Sequence, residues 1–311
     1  MAQTSPEPNF SIVIPARNME RFIQETLESV FHQTAKHYEV IVIDDGSTDK
    51  TCKIAGEFTN RDERFRIVNG LSKGVSAARN LGLSLAKGKF ILFLDADDLL
   101  HPKALKMLSA SLASSDAVGS LAGVQKIDIN GRQLSGSDNR LLVPKQNQLA
   151  ALLRKNFVVN GGALAIRTEI ARMCGGYDED LKNGEDWEFW CRIALNGKLN
   201  VVDGPALLFY RQVAQGANFS TRGWAFTRKV PCIQKIATNP SMQEKFGPRL
   251  RTMLRARRID NFWSGVRNNY YYGRTATALL QGLFGLIIFP DSVFRLKLIV
   301  RFTRSLFQRT H

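Results

Sequence analysis

Cysteine is scarce in this chain. The four present, Cys52, Cys174, Cys191 and Cys232, form no CxxC pair and have no histidine at zinc-ligand spacing, which removes a disulfide framework and a zinc site from consideration. The expectation is reduced thiols in a reducing compartment. The opening "MAQTSPEPNFSIVIPARN" lacks a basic stretch ahead of an apolar one, so no secretory signal is read there and a cytoplasmic setting is expected. Long apolar runs are missing too. "ALLQGLFGLIIF" reaches about a dozen residues, where a bilayer span takes about twenty. Internal repeats and low-complexity tracts are absent, as are helix-turn-helix and RNA-recognition signatures.

Acidic residues are rare in one part only. From Ser220 to His311 there are 3 against 17 Lys and Arg, a balance of +14, whereas the preceding residues hold 25 acids and 26 bases, a balance of +1. The overall charge of +15 therefore belongs to the C-terminal third. With 311 residues, 44% of them apolar, the chain can bury a sizeable core in one large or two modest domains.

The first hundred residues alternate short β-rich apolar runs with helical patterns: "FSIVIPA", "ERFIQETLESVFHQ", "YEVIVIDDGS", "KTCKIAGEFTN", "FRIVNG", "GVSAARNLGLSLAKG" and "KFILFLDADD". That rhythm predicts a βαβ series, a mostly parallel sheet with helices on both faces, and ligands at the carboxyl ends of its strands. Two strands end in acids. "VIVI" runs into Asp44 and Asp45, and "FILFL" runs into Asp95, Asp97 and Asp98, so both clusters should share one rim. Further on, the sequence predicts a helix over "HPKALKMLSASLASS", strands around an Asn-Gly turn in "AVGSLAGVQKIDINGRQL", a polar loop over 135–148, a helix near "QLAALLRKN", a Gly-Gly turn at 161 and 162, and a strand "ALAI". Closing strands follow in "LNVVDGPALLFYR", and a helical pattern takes over beyond about residue 220.

Crowded carboxylates repel one another and raise one another's pKa, so three within four positions suit a hard divalent cation such as Mn²⁺ or Mg²⁺, held by one or two of them together with substrate phosphates. Asp-Ala-Asp-Asp taken alone equally suits a polar turn capping the helix that follows. The second pair, Asp44 and Asp45, favours a binding role, because it ends the neighbouring strand and can accept hydrogen bonds from a base or ribose. A third pair, Glu185 and Asp186, opens the helical stretch "WEFWCRIAL", where acids also suit the helix dipole. Trp187 and Trp190, at i and i+3, fit a core stripe better than a sugar platform.

Four stretches, "SIVIPARN", "VIVIDDGSTD", "KGVSAARNLGLSLAKGKFILFLDADD" and "GGYDEDLKNGEDWEFWCRIALNG", come in the order and at the separations of the family 2 glycosyltransferases, which this chain resembles over residues 10 to about 211. The resemblance implies a GT-A nucleotide-sugar-binding fold over 1–219, followed by a helical basic region over 220–311. It also implies an inverting, metal-dependent transfer of one sugar from a nucleotide-sugar donor, UDP-linked as a first guess, to a saccharide or lipid-linked acceptor. Pro15, Ala16, Arg17 and Asn18 would lie near the nucleoside, with Asp45 accepting from the base N–H beside Asp44. Arg79 would lie against the donor, Asp95 and Asp97 would reach the ribose, Asp97 and Asp98 the metal, and Asp186, with Glu185 beside it, would be the general base. A histidine that many relatives carry after "FYR" is missing, and no Gln-x-x-Arg-Trp motif indicates processive polymerisation.

If 294–309 is a helix, Lys297, Arg301, Arg304 and Gln308 fall on one side, and Leu296, Ile299, Val300, Leu306 and Phe307 gather on another, the profile of a segment lying on an anionic membrane surface. A basic face packed on the catalytic domain is the plainer alternative. Nucleic-acid binding, suggested by the high pI and "NNYYYGR", and a phospho-acceptor signalling domain are the rival readings; no nucleic acid is expected as partner.

Overall fold

A computed structural model describes residues 9–134, 143–212, 230–271 and 273–290. The chain divides into two compact units, Met1–Leu152 with Asn156–Val213, and Leu153–Lys155 with Ala214–His311. The domain boundary expected at 219, the stretch after Gln212 and the amphipathic pattern of 294–309 lie outside the described residues.

In the first unit a seven-stranded sheet is ordered β3-β2-β1-β4-β8-β6-β9. Strand β1 (Phe10–Ala16) is an interior strand, paired in parallel with β2 (Tyr38–Asp44) and β4 (Phe90–Phe93); β2 pairs in parallel with β3 (Phe65–Asn69). Every residue of β1 is buried, which explains why "FSIVIPA" is almost unbroken in apolar residues rather than alternating. The alternating helices are α1 (Ile23–Phe31), α2 (Thr51–Arg61) and α3 (Val75–Leu85). Their expected spans are met to within a few residues at each end.

Register does the positioning. Ala16 lies opposite Asp44, Asp44 opposite Asn69, and Val13 opposite Phe93, so β1, β2 and β4 finish along one edge and deliver Asp44, Asp45 and Asp95 there. Strand β8 (Leu164–Arg167) runs antiparallel to β4, and its entry, a single 3₁₀ turn at Gly161–Ala163, therefore reaches that same edge. β6 (Gly119–Leu121) continues antiparallel beside β8, and β9 (Leu199–Val201) closes the sheet in parallel with β6.

One departure from the sequence pattern builds the second sheet. Leu99–Leu100, expected as the lead-in to helix α4 (Ala104–Ala113), is strand β5, which joins β10 (Leu208–Arg211) and β7 (Val124–Ile127) in a second, three-stranded sheet. A two-residue strand carries no periodicity to read. Around the Asn130-Gly131 turn only β7 is a full strand, and the return is a single antiparallel bridge between Ile127 and Gln133, while β6 and β7, both before the turn, lie in different sheets. Helices α5 (Gln148–Arg154), α6 (Thr168–Met173) and α7 (Glu185–Leu195) complete the first unit apart from the last residues of α5, which belong to the second.

The second unit is helical throughout its described residues: α8 (Pro231–Thr238), α9 (Pro240–Phe246), α10 (Arg249–Tyr271) and α11 (Thr275–Ile288). Prolines open α8 and α9 at the first turn, where a missing N–H is harmless, and the Asn239 side chain accepts from Met242 N–H to cap α9. Among the described residues no helix is long and apolar enough to cross a membrane.

Among the described glycines an added Cβ would come nearest to backbone at Gly88, 2.4 Å from Phe10 and Ser11. Backbone of an interior strand has little room to give. Gly88→Ala should therefore destabilise the first unit by about 1–3 kcal/mol, the usual scale of overpacking. A urea-unfolding midpoint equal to that of the parent would show that the contact relaxes freely.

Candidate active site

At the β1 and β2 ends, the loops are tied together before any ligand is considered. Ala16 C=O accepts from Asp45 N–H at 2.8 Å, and Asn18, in the left-handed region at φ 53°, donates its N–H to Ser47 Oγ and accepts at Oδ1 from Thr48 N–H at 2.8 Å. The Asn18 side chain thus holds the β2–α2 loop, whereas Pro15 and Ala16 are buried in strand and Arg17 is exposed. Asp44 accepts from Ser47 N–H. Asp45 accepts at Oδ2 from Gly74 N–H at 2.8 Å, yet its Oδ1 is buried with no partner. The wall beside that oxygen is Gly70, where a Cβ would lie only 2.9 Å from it. A buried carboxylate oxygen without a donor is an acceptor site awaiting one.

Arg79 ties the second half of the site together. Projecting from α3 and buried, it donates from Nη1 to Asp186 at 2.9 Å and from Nη2 to Asp95 at 2.7 Å, with Glu185 at 3.8 Å. Its guanidinium lies 5.0 Å over the Tyr177 ring, which is itself packed between Phe93 and Phe189. Burial works against the Arg79 charge, but Asp186 and then Asp95 raise its pKa above the usual arginine value. One cation faces three carboxylates, so the site keeps a surplus of negative charge.

Asp186 sits in the first turn of α7, after Gly184 in the left-handed region. Desolvation pushes its carboxyl up to about 6 against the lowering effect of Arg79, with Glu185 and Asp95 adding to the rise, although 32% of the side chain is open. A carboxylate in that range holds its proton more strongly than an ordinary one and still ionises near neutrality, which suits a general base.

The three acids after β4 have separate situations. Asp95 accepts from Arg79 and, at 3.0 Å, from Asn160 Nδ2. Asp98 is fully buried, and both its oxygens are engaged, Oδ1 by Arg211 N–H at 2.9 Å and Oδ2 by Asn160 Nδ2 at 2.9 Å. Burial, ahead of the charges of Asp95 and Asp97, holds its pKa well above the carboxylate range. Asp97 is half-buried and receives no side-chain donor, and desolvation with the Asp95 charge pushes it up to about 6. Among the described residues no group of three His, Cys, Asp or Glu is arranged to hold a metal ion. Asp97 is the one member of the cluster whose carboxylate accepts no hydrogen bond from another residue, its own backbone N–H being the donor it has.

Asn160, Arg211 and Tyr177 were not singled out by the sequence. Asn160 caps the 3₁₀ turn by accepting from Gly162 N–H, and its amide simultaneously joins Asp95 to Asp98. Arg211, at the end of β10, is buried; besides its N–H on Asp98 it donates from the guanidinium to Asp97 C=O, Ile129 C=O and Glu25. The only local hint was an Asn immediately before Gly-Gly and an Arg closing an apolar strand. Trp187 and Trp190 are both buried in the core, with Trp187 donating to Leu152 C=O.

This edge gathers an unpartnered buried carboxylate oxygen on Asp45, the half-buried Asp97 and two acids bridged by Arg79, and comparison with known proteins says which family the chain joins. The model of Glycosyl transferase family 2 matches residues 11–174, more than half the chain and ending just short of Asp186. A protein of Rickettsia bellii described as an uncharacterized glycosyltransferase is 31% identical over 196 residues, covering 62% of this chain and 27% of that protein. Among solved structures, Staphylococcus aureus TarS in complex with UDP-GlcNAc superposes with a TM-score of 0.58 at 19% identity, over 84% of this chain and 81% of that one. The mannosyltransferase PcManGT of Pyrobaculum calidifontis, in complex with GDP-Man and Mn²⁺, gives 0.58 at 17% identity, over 98% and 88%. The chain belongs to glycosyl transferase family 2 and has the GT-A fold. It spans between 22% and 41% of the length of the curated relatives it matches.

The charge surplus has a measurable consequence. With its pKa at about 6 against an ordinary 3.8, an ionised Asp97 opposes folding, a penalty absent below about 3.8 and complete above about 6. Asp97→Asn should raise the melting temperature in chelator at pH 8 by a few degrees, and the gain should fade as pH drops through that window to 4. A Tm difference that does not change with pH would show that Asp97 is not held against its charge.

Proposed function

We propose that the protein moves one sugar from a nucleotide-sugar donor to the hydroxyl of a saccharide or lipid-linked acceptor, with inversion at the anomeric carbon, at the cytoplasmic face of an anionic membrane. The observation that carries the reading is the Arg79 bridge, which sets Asp186 and Asp95 on either side of a single guanidinium. Inversion needs attack from the face opposite the departing diphosphate, so the base and the leaving-group side must be separate and opposed.

In this reading the unpartnered Oδ1 of Asp45 accepts from the base N–H of the nucleoside, and Gly70 leaves room for it. Asp95, aimed by Arg79 and Asn160, accepts from the ribose. Asp97 would hold the divalent ion, Mn²⁺ or Mg²⁺, because no other residue donates to its carboxylate and burial disfavours its bare charge. Asp98 shapes the loop for it, since its own oxygens are spent on Arg211 and Asn160. When bound, such an ion supplies Lewis-acid stabilisation of the charge that grows on the diphosphate. Asp186 takes the proton of the acceptor hydroxyl as the new C–O bond forms; the bond from the anomeric carbon to the diphosphate breaks, and the nucleoside diphosphate leaves with the electron pair. Glu185 beside it keeps the local potential negative. UDP is the first candidate nucleotide, supported by the ligand of TarS, while GDP, the nucleotide of the PcManGT ligand, is the competing one.

Transfer and hydrolysis measured across UDP- and GDP-sugars with Mn²⁺ or Mg²⁺, with the product anomer read by proton NMR, tests the assignment; retention of configuration would overturn it. Asp186→Asn should lower transfer by about 10²–10⁴-fold, the scale of a lost general base, with nucleotide affinity little changed. In the parent, kcat/KM should climb with pH through about 6 as Asp186 loses its proton and then level off. A flat profile between pH 5 and 8 would remove Asp186 from the role.

A further inference from the structure

Helix α11 is built inside out. The residues it buries are small or polar: Ala278, Gln281 and Gly285. Phe262 of α10 lies over Gly285 so closely that a Cβ there would meet the ring at 2.2 Å, and Asn269 of α10 donates to Gln281 at 2.7 Å. The large apolar side chains point away from α10. Leu283 and Ile287 keep 63% and 76% of their surface exposed, with Leu279, Leu280 and Phe284 beside them. A surface helix of a soluble unit normally turns its apolar stripe inward, and a contiguous apolar patch turned outward marks a contact with something else.

Charge selects the occupant. The 21 residues beyond Pro290 hold five basic residues and one acid, and a second copy of the chain would bring its own +14 region, so either would set positive charge against positive. Helix α11 has no charged residue to offset it, and exposed Arg249, Arg251, Arg255, Arg258 and Arg274 belong to the same unit. An anionic surface with an apolar interior complements both features. The length agrees: fourteen residues extend about 21 Å, short of the ~30 Å hydrocarbon core, so the helix fits in the plane of the interface rather than across it.

We propose that the outward face of α11 is the apolar wedge that seats this protein in the surface of an anionic bilayer, with the basic residues of its unit drawing it there. The inference rests on the membrane placement within the proposed function and names the element that inserts; it is independent of the chemistry.

The test is sedimentation of the full chain with vesicles of phosphatidylcholine alone and of phosphatidylcholine mixed with phosphatidylglycerol. The parent should bind the mixed vesicles. Leu280→Gln, Leu283→Gln and Ile287→Gln combined, which leave the charge unchanged, should weaken that binding by about tenfold or more. Ile287→Gln alone should weaken it by less, and serves if the triple variant does not fold. No binding by the parent, or equal binding by parent and variants, would overturn the wedge. So would a concentration-dependent dimer that the substitutions dissolve. Hydrolysis of nucleotide sugars by the parent without vesicles, followed in parallel, reports on the transferase reading alone, so loss of one result leaves the other standing.

Discussion

The guanidinium of Arg79 is the interaction on which the rest of the first unit's site depends. It is buried, it rests on the face of Tyr177, and it holds Asp186 from α7 and Asp95 from the β4 end at hydrogen-bond distance. Two acids 91 positions apart in the chain are thereby brought to one cation. A buried charge is tolerated only when paired and hydrogen-bonded, and a paired charge dictates where its partners stand. Here the acids outnumber the cations: Asp95, Asp186 and Glu185 share the one Arg79, and Asp97 has no side-chain donor and only the charge of Arg211 to offset its own, which leaves the site receptive to a cation or a proton.

Around that centre, every element arrives for an identifiable reason. Parallel pairing of β1, β2 and β4 aligns their carboxyl ends. The antiparallel β8 then returns its beginning to the same edge, which is how Asn160 comes within reach of both Asp95 and Asp98. The second sheet supplies the remaining anchor, because Arg211 at the end of β10 binds Asp98 with its backbone and the Asp97 carbonyl with its side chain. The acidic loop is therefore held from two sheets at once, and only Asp97 is left with a carboxylate to which no other residue donates.

Much of this was legible in the chain. The strand and helix rhythm of the first hundred residues follows from apolar periodicity, and acids at the ends of "VIVI" and "FILFL" had to share an edge once both strands paired in parallel with β1 between them. The four ordered motifs identified the family that the family model then matched. What was not legible had no local pattern: a two-residue strand at Leu99–Leu100, a buried Arg closing β10, an Asn ahead of two glycines. Crowding within Asp-Ala-Asp-Asp suggested a shared task for its acids, whereas the fold gives them different surroundings: Asp95 meets Arg79 and Asn160, Asp98 meets Arg211 and Asn160, and Asp97 meets no side-chain donor.

By itself the sequence determined the identity and order of the elements, the acids at their ends and the basic character of the C-terminal third, because these depend on periodicity and composition within a few residues. Tertiary structure alone decided which carboxylate oxygens stay free and which face of α11 is turned outward. Asp98 meets Arg211 across 113 positions, and Phe262 claims Gly285 by shape, and contacts of that kind exist only once distant segments have been folded against one another.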